Sequence, residues 1–490
     1  MRIFDLSIIL IYLAVVLWIA IRSSKNAGDS TAFSTAAGRL PVWAIGLSIF
    51  ATFFSSISFI ALPGKAFSTN WNPVVFSLSI PLAAWIAAKW FVPFYRSSGE
   101  ISAYSHFEKH FGTWARIYAV ACYLLSQFGR TATILYLLAL PLAPLTGLSV
   151  PVLILIAGAF VILYTLIGGV EAVIWADAIQ SVIFTLGAIF CLGTILTGFP
   201  EGPGQAFRIA AADHKFSLGD FSLNFAAPTF WVALAYGLFV NLQNFGIDQN
   251  YVQRYASAKN EKDATRSLWL GALLYPPVSV LFLLIGTVLY SYYKLHATPG
   301  VPSAPDKVLP FFMAGNLPPG LLGLLVAALF AAGQSTVASS INSSATIILH
   351  DVFKRFIRPD ADEATSLRVL RVASLVFGVL GTATALAMIN VDSALDAWWK
   401  MQSIFSGGML GLFLLSLASK HPAAARALTA TILGLIVLLW ISLPNEFPHL
   451  APWLPKLPLH SFLAIVFGTL VILLAGLLLP PRKSVAPVKS

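Results

Sequence analysis

The sequence predicts an all-α membrane protein with about thirteen transmembrane helices. Hydrophobic residues make up 58% of the 490 residues and charged residues only 10%, whereas a soluble globular protein carries about 25% charged residues. Apolar stretches of about 20 residues recur along the chain, and each is long enough to cross roughly 30 Å of hydrocarbon as a helix. The lipid bilayer is therefore expected to surround most of the chain.

The predicted spans follow one another without a soluble domain between them. We expect them near residues 3–22, 42–63, 72–95, 113–145, 149–167, 172–199, 229–254, 266–293, 319–350, 366–390, 396–418, 424–443 and 460–480. The first span is expected to be retained, because Arg22 and Lys25 follow it and no small-residue cleavage site does. Residues 1–490 are therefore predicted to form a single polytopic membrane domain.

Basic residues alternate between successive connections, and this alternation predicts the orientation of the chain. Every second connection is rich in them: Arg22, Lys25, Arg39, Arg96, Lys109, Arg116, Arg254, Lys259, Lys262, Arg266, Lys354, Arg355, Arg358, Arg368, Arg371, Lys420, Arg426, Arg482 and Lys483. The other connections hold few: Lys65, Arg208, Lys215, Lys294, Lys307, Lys400 and Lys456. By the positive-inside rule, the amino terminus is expected outside and the carboxyl terminus in the cytoplasm of a bacterium, with the spans in its inner membrane.

The sequence lacks the residues that several classes of function require. The net charge of +10 lies in the connections between spans, so no nucleic-acid partner is predicted. No nucleotide-binding motif, His-rich metal motif or nucleophile elbow occurs, and Cys122 and Cys191 both fall within apolar spans. An intramembrane enzyme is a remote alternative, because the eight histidines are scattered. The remaining features favour transport driven by an ion gradient.

A polar cluster interrupts the predicted span 42–63. Thr52, Ser55, Ser56 and Ser58 lie at its middle, and Pro63 follows. A broken helix is expected here, because freed carbonyls can coordinate a cation and half-helix ends can face a substrate. The alternative is a kinked helix whose serines bond back to the preceding turn.

A stripe of small and hydroxyl side chains marks the predicted span 319–350. It comprises positions i, i+3, i+4, i+7 and i+11 of one helical face: Ala332, Ser335, Thr336, Ser339 and Ser343. Oxygen ligands suit a hard monovalent cation rather than a transition metal. Close packing against a neighbouring helix is the competing interpretation.

Charged residues at membrane depth are the strongest anomalies. Asp177 lies about two turns into an apolar helix and needs a partner. Arg130 lies mid-span and is expected either to pair with Asp177 or Asp248, or to face a cavity and bind a carboxylate through its two-pronged donor geometry. In the polar segment 241–255, Gly246 is expected to permit an unwound centre, and Arg254 to begin a solvated end.

Three motifs together resemble the sodium:solute symporter family, and the likeness is greatest to its bacterial sialic acid transporters. They are Gly168-Gly169 with Val173-Ile174-Trp175-Ala176-Asp177, the run from Asp248 to Tyr255, and Ser335-Thr336 with Asn342-Ser343. The resemblance implies a leucine-transporter-like fold in which two inverted five-helix units occupy 42–418, with an extra helix at 3–22 and two more at 424–480. It also implies a sodium-coupled symporter rather than an enzyme.

The resemblance further implies the binding residues. Sodium is expected at Ala51, Phe54, Ala332, Ser335 and Thr336. A possible second sodium site comprises Asp177, Ser335 and Ser339, although Ala338 lacks the hydroxyl of the sialic acid branch. Substrate is expected at Ser55, Ser58, Ser77, Arg130 and Phe245.

The implied substrate is an acidic sugar, with sialic acid first and its carboxylate on Arg130. A neutral sugar or a small monocarboxylate is the alternative, because Phe53, Pro73 and Ser77 depart from the branch's pocket residues.

Overall fold

The computed structural model describes residues 3–389, 394–419, 424–446 and 453–479, and helices dominate these ranges. The described residues form no β-strand, and their β-type pairing is an isolated bridge between Leu40 and Ala258. Lys420, Arg482 and Lys483, which contribute to the predicted orientation, lie outside the described residues.

The helices follow the chain in an order that matches the predicted spans. They are α1 Ile3–Ser24, α2 Ser30–Thr35, α3 Val42–Phe53, α4 Ser56–Ser68, α5 Val74–Leu78, α6 Ile80–Ile86, α7 Val92–Ser98, α8 Ser105–Phe111, α9 Thr113–Ala139, α10 Leu142–Thr146, α11 Val150–Leu196, α12 Pro203–Ala212, α13 Phe230–Ile247, α14 Gln249–Ser257, α15 Glu261–His296, α16 Val308–Asn316, α17 Leu321–Ile347, α18 Glu363–Ala387, α19 Ala394–Ala418, α20 Ala424–Glu446 and α21 Leu463–Leu478. Two π-helical stretches, Ala87–Phe91 and Ile348–Ile357, continue the spans that contain them.

Within the described residues, length and hydropathy support most of the predicted spans. Eight stretches of the described residues are long and apolar enough to cross a membrane, and the bent pair α3 and α4 is a ninth candidate. The 47 residues of α11 hold two predicted spans, while α19 and α21 contain shorter apolar helices. The 27 residues of α9 are long enough to span but carry several polar side chains, including Arg130.

The interruption within α11 falls at Gly169, between the predicted spans 149–167 and 172–199. Gly169 has φ +58° and ψ −157°. A Cβ at this position would lie 2.8 Å from the carbonyl oxygen of Phe33, in the segment that contains α2. Both the positive φ and this close approach require glycine.

Two further spans are broken near their middle. The polypeptide leaves helical geometry at Phe54 between α3 and α4, which are bent by 49°, and this confirms the predicted break. The second break was expected at Gly246 but falls at Asp248. Gly246 remains helical, and its small size admits the rings of Phe91 and Phe413 instead. Asp248 both ends α13 and caps α14, because its side chain accepts a hydrogen bond of 2.8 Å from the Asn250 amide.

The first helix is fixed to α17 by a buried carboxylate. Asp5 Oδ1 accepts hydrogen bonds from the backbone amides of Gly320 at 2.7 Å and Gly323 at 3.0 Å. These amides precede and begin α17, where helical N–H groups have no intrahelical partner. Helix α1 is therefore docked on the helix that carries the hydroxyl stripe.

An ion-pair network fixes one end of α9 to the continuation of α17. Arg116 donates to Asp351 at 2.7 Å and to Glu108 at 2.8 Å, and Arg355 donates to Glu108 at 2.7 Å. Arg355 is the main cause that lowers the pKa of Glu108 to about 2. The network holds in register the two helices that carry Arg130 and Ser335.

Candidate functional site

A cleft opens where the two broken spans meet α9, α15 and α19. Arg130, Ser55 and Ser58, which the sequence assigns to substrate, all line it. The other lining residues are Phe53, Leu62, Pro73, Phe76, Tyr236, Val240, Asn244, Tyr251, Tyr275 and Gln402. The cleft combines one guanidinium with hydroxyl, amide and aromatic groups, which is the chemistry of a site for a small polar solute.

Arg130 contributes the positive charge of the cleft. Its Nη2 donates a hydrogen bond of 2.5 Å to the carbonyl of Thr52, in the last turn of α3. The carbonyl groups of that turn have no intrahelical N–H donor because the helix ends at Phe53. Nη1 lies 3.8 Å from Asp248 Oδ2, which is an ion pair longer than a hydrogen bond. Of the two acidic partners considered from the sequence, Asp248 is thus the one beside Arg130.

Aromatic rings form one wall of the cleft around Phe53. The Phe53 ring centre lies 5.3 Å from that of Phe245, 5.0 Å from Tyr251 and 5.4 Å from Tyr275. Phe245 is completely buried behind Phe53 and does not line the cleft, although the sequence assigned it to substrate.

Ser77 also lies outside the cleft lining. Its hydroxyl donates a hydrogen bond of 3.1 Å to the hydroxyl of Ser279 on α15, and its side chain is buried. In this conformation, Ser77 joins the helices α5 and α15 rather than facing the cleft.

The hydroxyl stripe of α17 is fully buried. Ser335 and Thr336 have no exposed surface, and Thr336 Oγ1 lies 3.4 Å from the carbonyl of Ala332. Ser335 Oγ is close to Asp177, but no described residue gives it a hydrogen bond of normal geometry. α17 packs against both α3 and α4, the two halves that end at Phe53 and begin at Ser56. Buried hydroxyl oxygens beside a broken helix are suitable ligands for a dehydrated monovalent cation.

The carbonyl oxygens that precede the second break already have hydrogen-bond donors. The three carbonyls before Asp248 each accept a hydrogen bond from a tyrosine hydroxyl: Phe245 from Tyr255 at 3.0 Å, Gly246 from Tyr95 at 2.6 Å and Ile247 from Tyr104 at 2.9 Å. These bonds satisfy the carbonyls that the break removes from the helix ladder. A cation that needs backbone oxygens is therefore better served at the first break.

Asp177 is paired with Arg254, and sequence reasoning missed this partner. Arg254 was expected at a solvated end, but its side chain is only 1% exposed. Its Nη2 donates to Asp177 Oδ2 at 2.9 Å and to Ser339 Oγ at 2.7 Å, while Nε donates to Ser48 Oγ at 2.8 Å. Ser48 in turn donates to Asp177. The guanidinium thus occupies the space between Asp177 and Ser339 and joins α3, α11, α14 and α17.

A hydrogen-bond chain connects α1 to the same part of α17. Tyr12 donates to Gln334 Oε1 at 2.7 Å and accepts from Gln180 Nε2 at 2.8 Å. The hydroxyl of Tyr164 donates to the carbonyl of Gln334 at 3.0 Å. Gln334 immediately precedes Ser335, so these bonds fix the backbone beside the hydroxyl stripe. The sequence signal was a tyrosine seven residues after Asp5 on one face of an apolar helix.

Other residues of the cleft were also missed. Tyr236 and Asn244 come from α13, and Gln402 comes from α19, where its amide donates to Gln243 Oε1 at 2.6 Å. Their only signal is a polar group within an apolar span, and many other spans carry such a group.

Comparisons with known proteins agree with this architecture. The sequence profile of the sodium:solute symporter family matches residues 33–434. A sodium/sialic acid symporter of Aliivibrio fischeri is 30% identical, over 96% of this chain and 91% of that protein. A solved structure of a Na⁺-coupled sialic acid symporter superimposes with a TM-score of 0.89 at 28% identity, over 97% of both chains.

A more distant structure supports the fold alone. Mhp1, a nucleobase-cation-symport-1 family transporter, superimposes with a TM-score of 0.59 at 16% identity, over 90% of this chain and 92% of that one. The leucine-transporter-like fold predicted from the resemblance is confirmed. With two broken spans around a central cleft and a family profile that covers most of its length, the chain belongs to the sodium:solute symporter family and is a sodium-coupled membrane transporter rather than an enzyme.

Proposed function

We propose that the protein imports an acidic sugar, with sialic acid first, together with sodium. The observation that carries this proposal is Arg130, a guanidinium that lines the central cleft and is only 9% exposed. A partly desolvated guanidinium binds a carboxylate strongly because both charges are poorly screened and the two N–H donors match the two oxygens. The relatives named as sodium/sialic acid symporters support the choice of sugar.

The remainder of the cleft supplies partners for sugar hydroxyls. Ser55 immediately precedes α4 and Ser58 lies in its first turn, and Asn244 of α13 and Gln402 of α19 also line the cleft. A polyhydroxylated solute that leaves water needs such donors and acceptors, because each unpaired polar group is unfavourable. We assign Ser77 and Phe245 a supporting role in this conformation, since each packs behind the lining.

The co-transported sodium is assigned to the first break and to α17. Its ligands are the carbonyl oxygens of Ala51, Phe54 and Ala332 and the hydroxyls of Ser335 and Thr336. The support is the buried Ser335 hydroxyl, which is close to Asp177 but forms no hydrogen bond of normal geometry with the described residues, together with the contact of α17 with both halves of the broken span.

A second sodium at Asp177, Ser335 and Ser339 is disfavoured. The guanidinium of Arg254 already bonds both Asp177 and Ser339, and a second cation beside it would be repelled. Together with the methyl group of Ala338, this pairing supports a stoichiometry of one sodium ion per substrate.

The proposed topology places the amino terminus outside and the carboxyl terminus in the cytoplasm of a bacterial cell, with the spans in the inner membrane. The support is the alternation of basic residues between connections. Within the chain, we assign 42–418 to the inverted-repeat core, 3–22 to an additional helix and 424–480 to two more.

A small monocarboxylate is the second candidate substrate, and the observation that favours it is Phe53. Its half-buried ring takes up cleft volume beside Arg130 and presents an apolar face. An apolar wall suits a short carboxylate with few hydroxyls better than a large sugar.

Uptake into proteoliposomes separates these candidates. Labelled sialic acid, galactose, lactate and proline are each offered under an inward sodium gradient, with choline and proton gradients as controls. We expect sialic acid to be accumulated in sodium alone. Accumulation of lactate without sialic acid would favour the second candidate, and accumulation of galactose alone would contradict both.

A further inference from the structure

A groove outside the transport site runs between α1 and the part of α11 that follows Gly169. It contains about 810 Å³ of space not filled by protein atoms. The lining residues that matter here are Trp18, Arg22, Asn26, Glu171, Trp175 and Ile179.

The groove lies at the level where α1 leaves the hydrocarbon. The 22 residues of α1 rise about 33 Å, which is roughly one membrane thickness, and Arg22 is in the last turn. Trp18 is 59% exposed and Trp43 is 52% exposed. The ring centre of Trp43 lies 5.4 Å from that of Trp175. Tryptophan prefers the interface between hydrocarbon and headgroups. We therefore expect this groove to lie among phospholipid headgroups.

The groove presents a cation and an anion whose bonding capacity is incompletely used. Arg22 lies 5.6 Å from the centre of the Trp18 ring and forms no ion pair with any residue in the described ranges. Glu171 Oε1 accepts a hydrogen bond of 2.9 Å from Asn26, and its Oε2 is 3.9 Å from Arg39 Nη2. A carboxylate can accept about four hydrogen bonds, so Glu171 retains acceptor capacity toward the groove.

We propose that this groove binds a phospholipid whose headgroup contains both a phosphate and a primary ammonium, as in phosphatidylethanolamine. Arg22 binds the phosphate, Glu171 accepts hydrogen bonds from the ammonium, and the acyl chains lie against Trp18, Trp175 and Ile179. This proposal is independent of the transported substrate.

The charges select this headgroup over the other common ones. An anionic headgroup without an amine carries the same phosphate but offers Glu171 no ammonium, so it loses the charge-assisted hydrogen bonds to the carboxylate. A choline headgroup has no N–H to donate, so it cannot form the charge-assisted hydrogen bonds that an ammonium forms. Because the walls of the groove are apolar and face the bilayer, the occupant is a lipid rather than soluble phosphoethanolamine.

Native mass spectrometry of the full-length protein tests the proposal. Phosphatidylethanolamine, phosphatidylglycerol and phosphatidylcholine with identical acyl chains are titrated separately. We expect one phosphatidylethanolamine to be retained at a concentration about tenfold lower than either other lipid. Glu171→Gln should abolish this preference, whereas Arg22→Gln should weaken retention of all three lipids.

Matched controls are Glu201→Gln and Arg266→Gln, which change exposed charges remote from the groove and should leave the preference unaltered. Equal retention of the three lipids, stronger retention of phosphatidylglycerol, or a preference that survives Glu171→Gln would each overturn the proposal. Displacement by soluble phosphoethanolamine at lipid concentrations would also contradict it. Glu171→Asp, which keeps the charge, should retain the preference, which ties the preference to the carboxylate.

Discussion

Arg254 Nη2 and Asp177 Oδ2 form a 2.9 Å ion pair in a region where both side chains are 1% exposed or less. Breaking a buried pair leaves one charge uncompensated, which destabilises by about 3–5 kcal/mol. We expect Asp177→Asn and Arg254→Gln each to lower the melting temperature markedly. The double substitution Asp177→Asn with Arg254→Gln should lose less stability than the sum of the two single losses. Additive losses in the double variant, measured by thermal unfolding in detergent, would show that the two residues are not coupled.

The same pair predicts the electrical character of transport. One sodium ion moving with one monoanionic sugar transfers no net charge, whereas two sodium ions transfer one positive charge. We therefore expect uptake to be insensitive to a potassium–valinomycin potential and to produce no current on a solid-supported membrane. Stimulation of uptake by an inside-negative potential would contradict one-sodium coupling. Ala338→Ser alone should not change this result, because Arg254 still bonds Ser339.

Sodium affinity should depend on the two hydroxyls of α17. Ser335→Ala and Thr336→Ala each remove one oxygen ligand, and we expect the sodium concentration for half-maximal uptake to rise about tenfold, which corresponds to ~1.4 kcal/mol. Ser366→Ala is the matched control, because Ser366 is another fully buried serine whose hydroxyl has no partner in the described structure. Unchanged sodium activation in both α17 variants would place the cation elsewhere.

Tyr12 should act on sodium binding through Gln334. Tyr12→Phe removes the hydroxyl that bonds Gln334 and Gln180, and the loss of such bonds amounts to about 0.5–1.5 kcal/mol. We expect half-saturation by sodium to rise severalfold while the maximal uptake rate changes little. Asp5→Asn is the comparison variant, because it weakens the attachment of α1 to Gly320 and Gly323 without changing the hydrogen bonds of Gln334. Equal sodium activation in both variants would reduce Tyr12 to a packing residue.

Gly169 provides a test of the fold with an internal control. Gly169→Ala forces a side chain into positive φ and against the Phe33 carbonyl, so it should destabilise by more than about 1 kcal/mol. Gly193→Ala, in the same helix, meets no atom within 4 Å and should be neutral or stabilising. Comparable melting temperatures for the two variants would contradict the described interruption of α11.

Features that depend on neighbouring residues within one helix could be predicted from the sequence. Apolar length predicts the spans, and the serines from 55 to 58 predict the first break, because both signals lie within a single helix. The second break was predicted two residues early because Gly246 is the more permissive residue, yet Asp248 provides the cap. Gly246 is small enough for the rings of Phe91 and Phe413 to pack against it, and both rings are distant in sequence.

Contacts between distant segments could not be predicted in the same way. Arg254 precedes Lys259 and Lys262 and therefore resembles a solvated helix end, but it pairs with a carboxylate 77 residues earlier in the chain. The role of Tyr12 depends on Gln334, which lies 322 residues later. Likewise, Phe245 and Phe53 are both near breaks, and only packing determines which ring faces the cleft.

Recognition of the carboxylate of an acidic sugar by Arg130 can be measured directly. Binding in saturating sodium is measured by calorimetry for sialic acid and for its neutral methyl ester, with the unaltered protein, Arg130→Lys and Arg130→Ala. Arg208→Ala, an exposed arginine in a connection, is the control. All variants are first shown to be folded and to bind sodium.

We expect Arg130→Ala to weaken sialic acid binding about ten- to a hundredfold, the equivalent of roughly 1.5–3 kcal/mol. Arg130→Lys should also bind poorly, because it loses the planar two-pronged geometry. The ester should bind the unaltered protein weakly and be almost unaffected by either substitution, so that the two changes are coupled. Unchanged affinity for sialic acid in folded, sodium-binding Arg130→Ala protein would show that Arg130 does not bind the carboxylate and would leave it as the structural partner of Asp248.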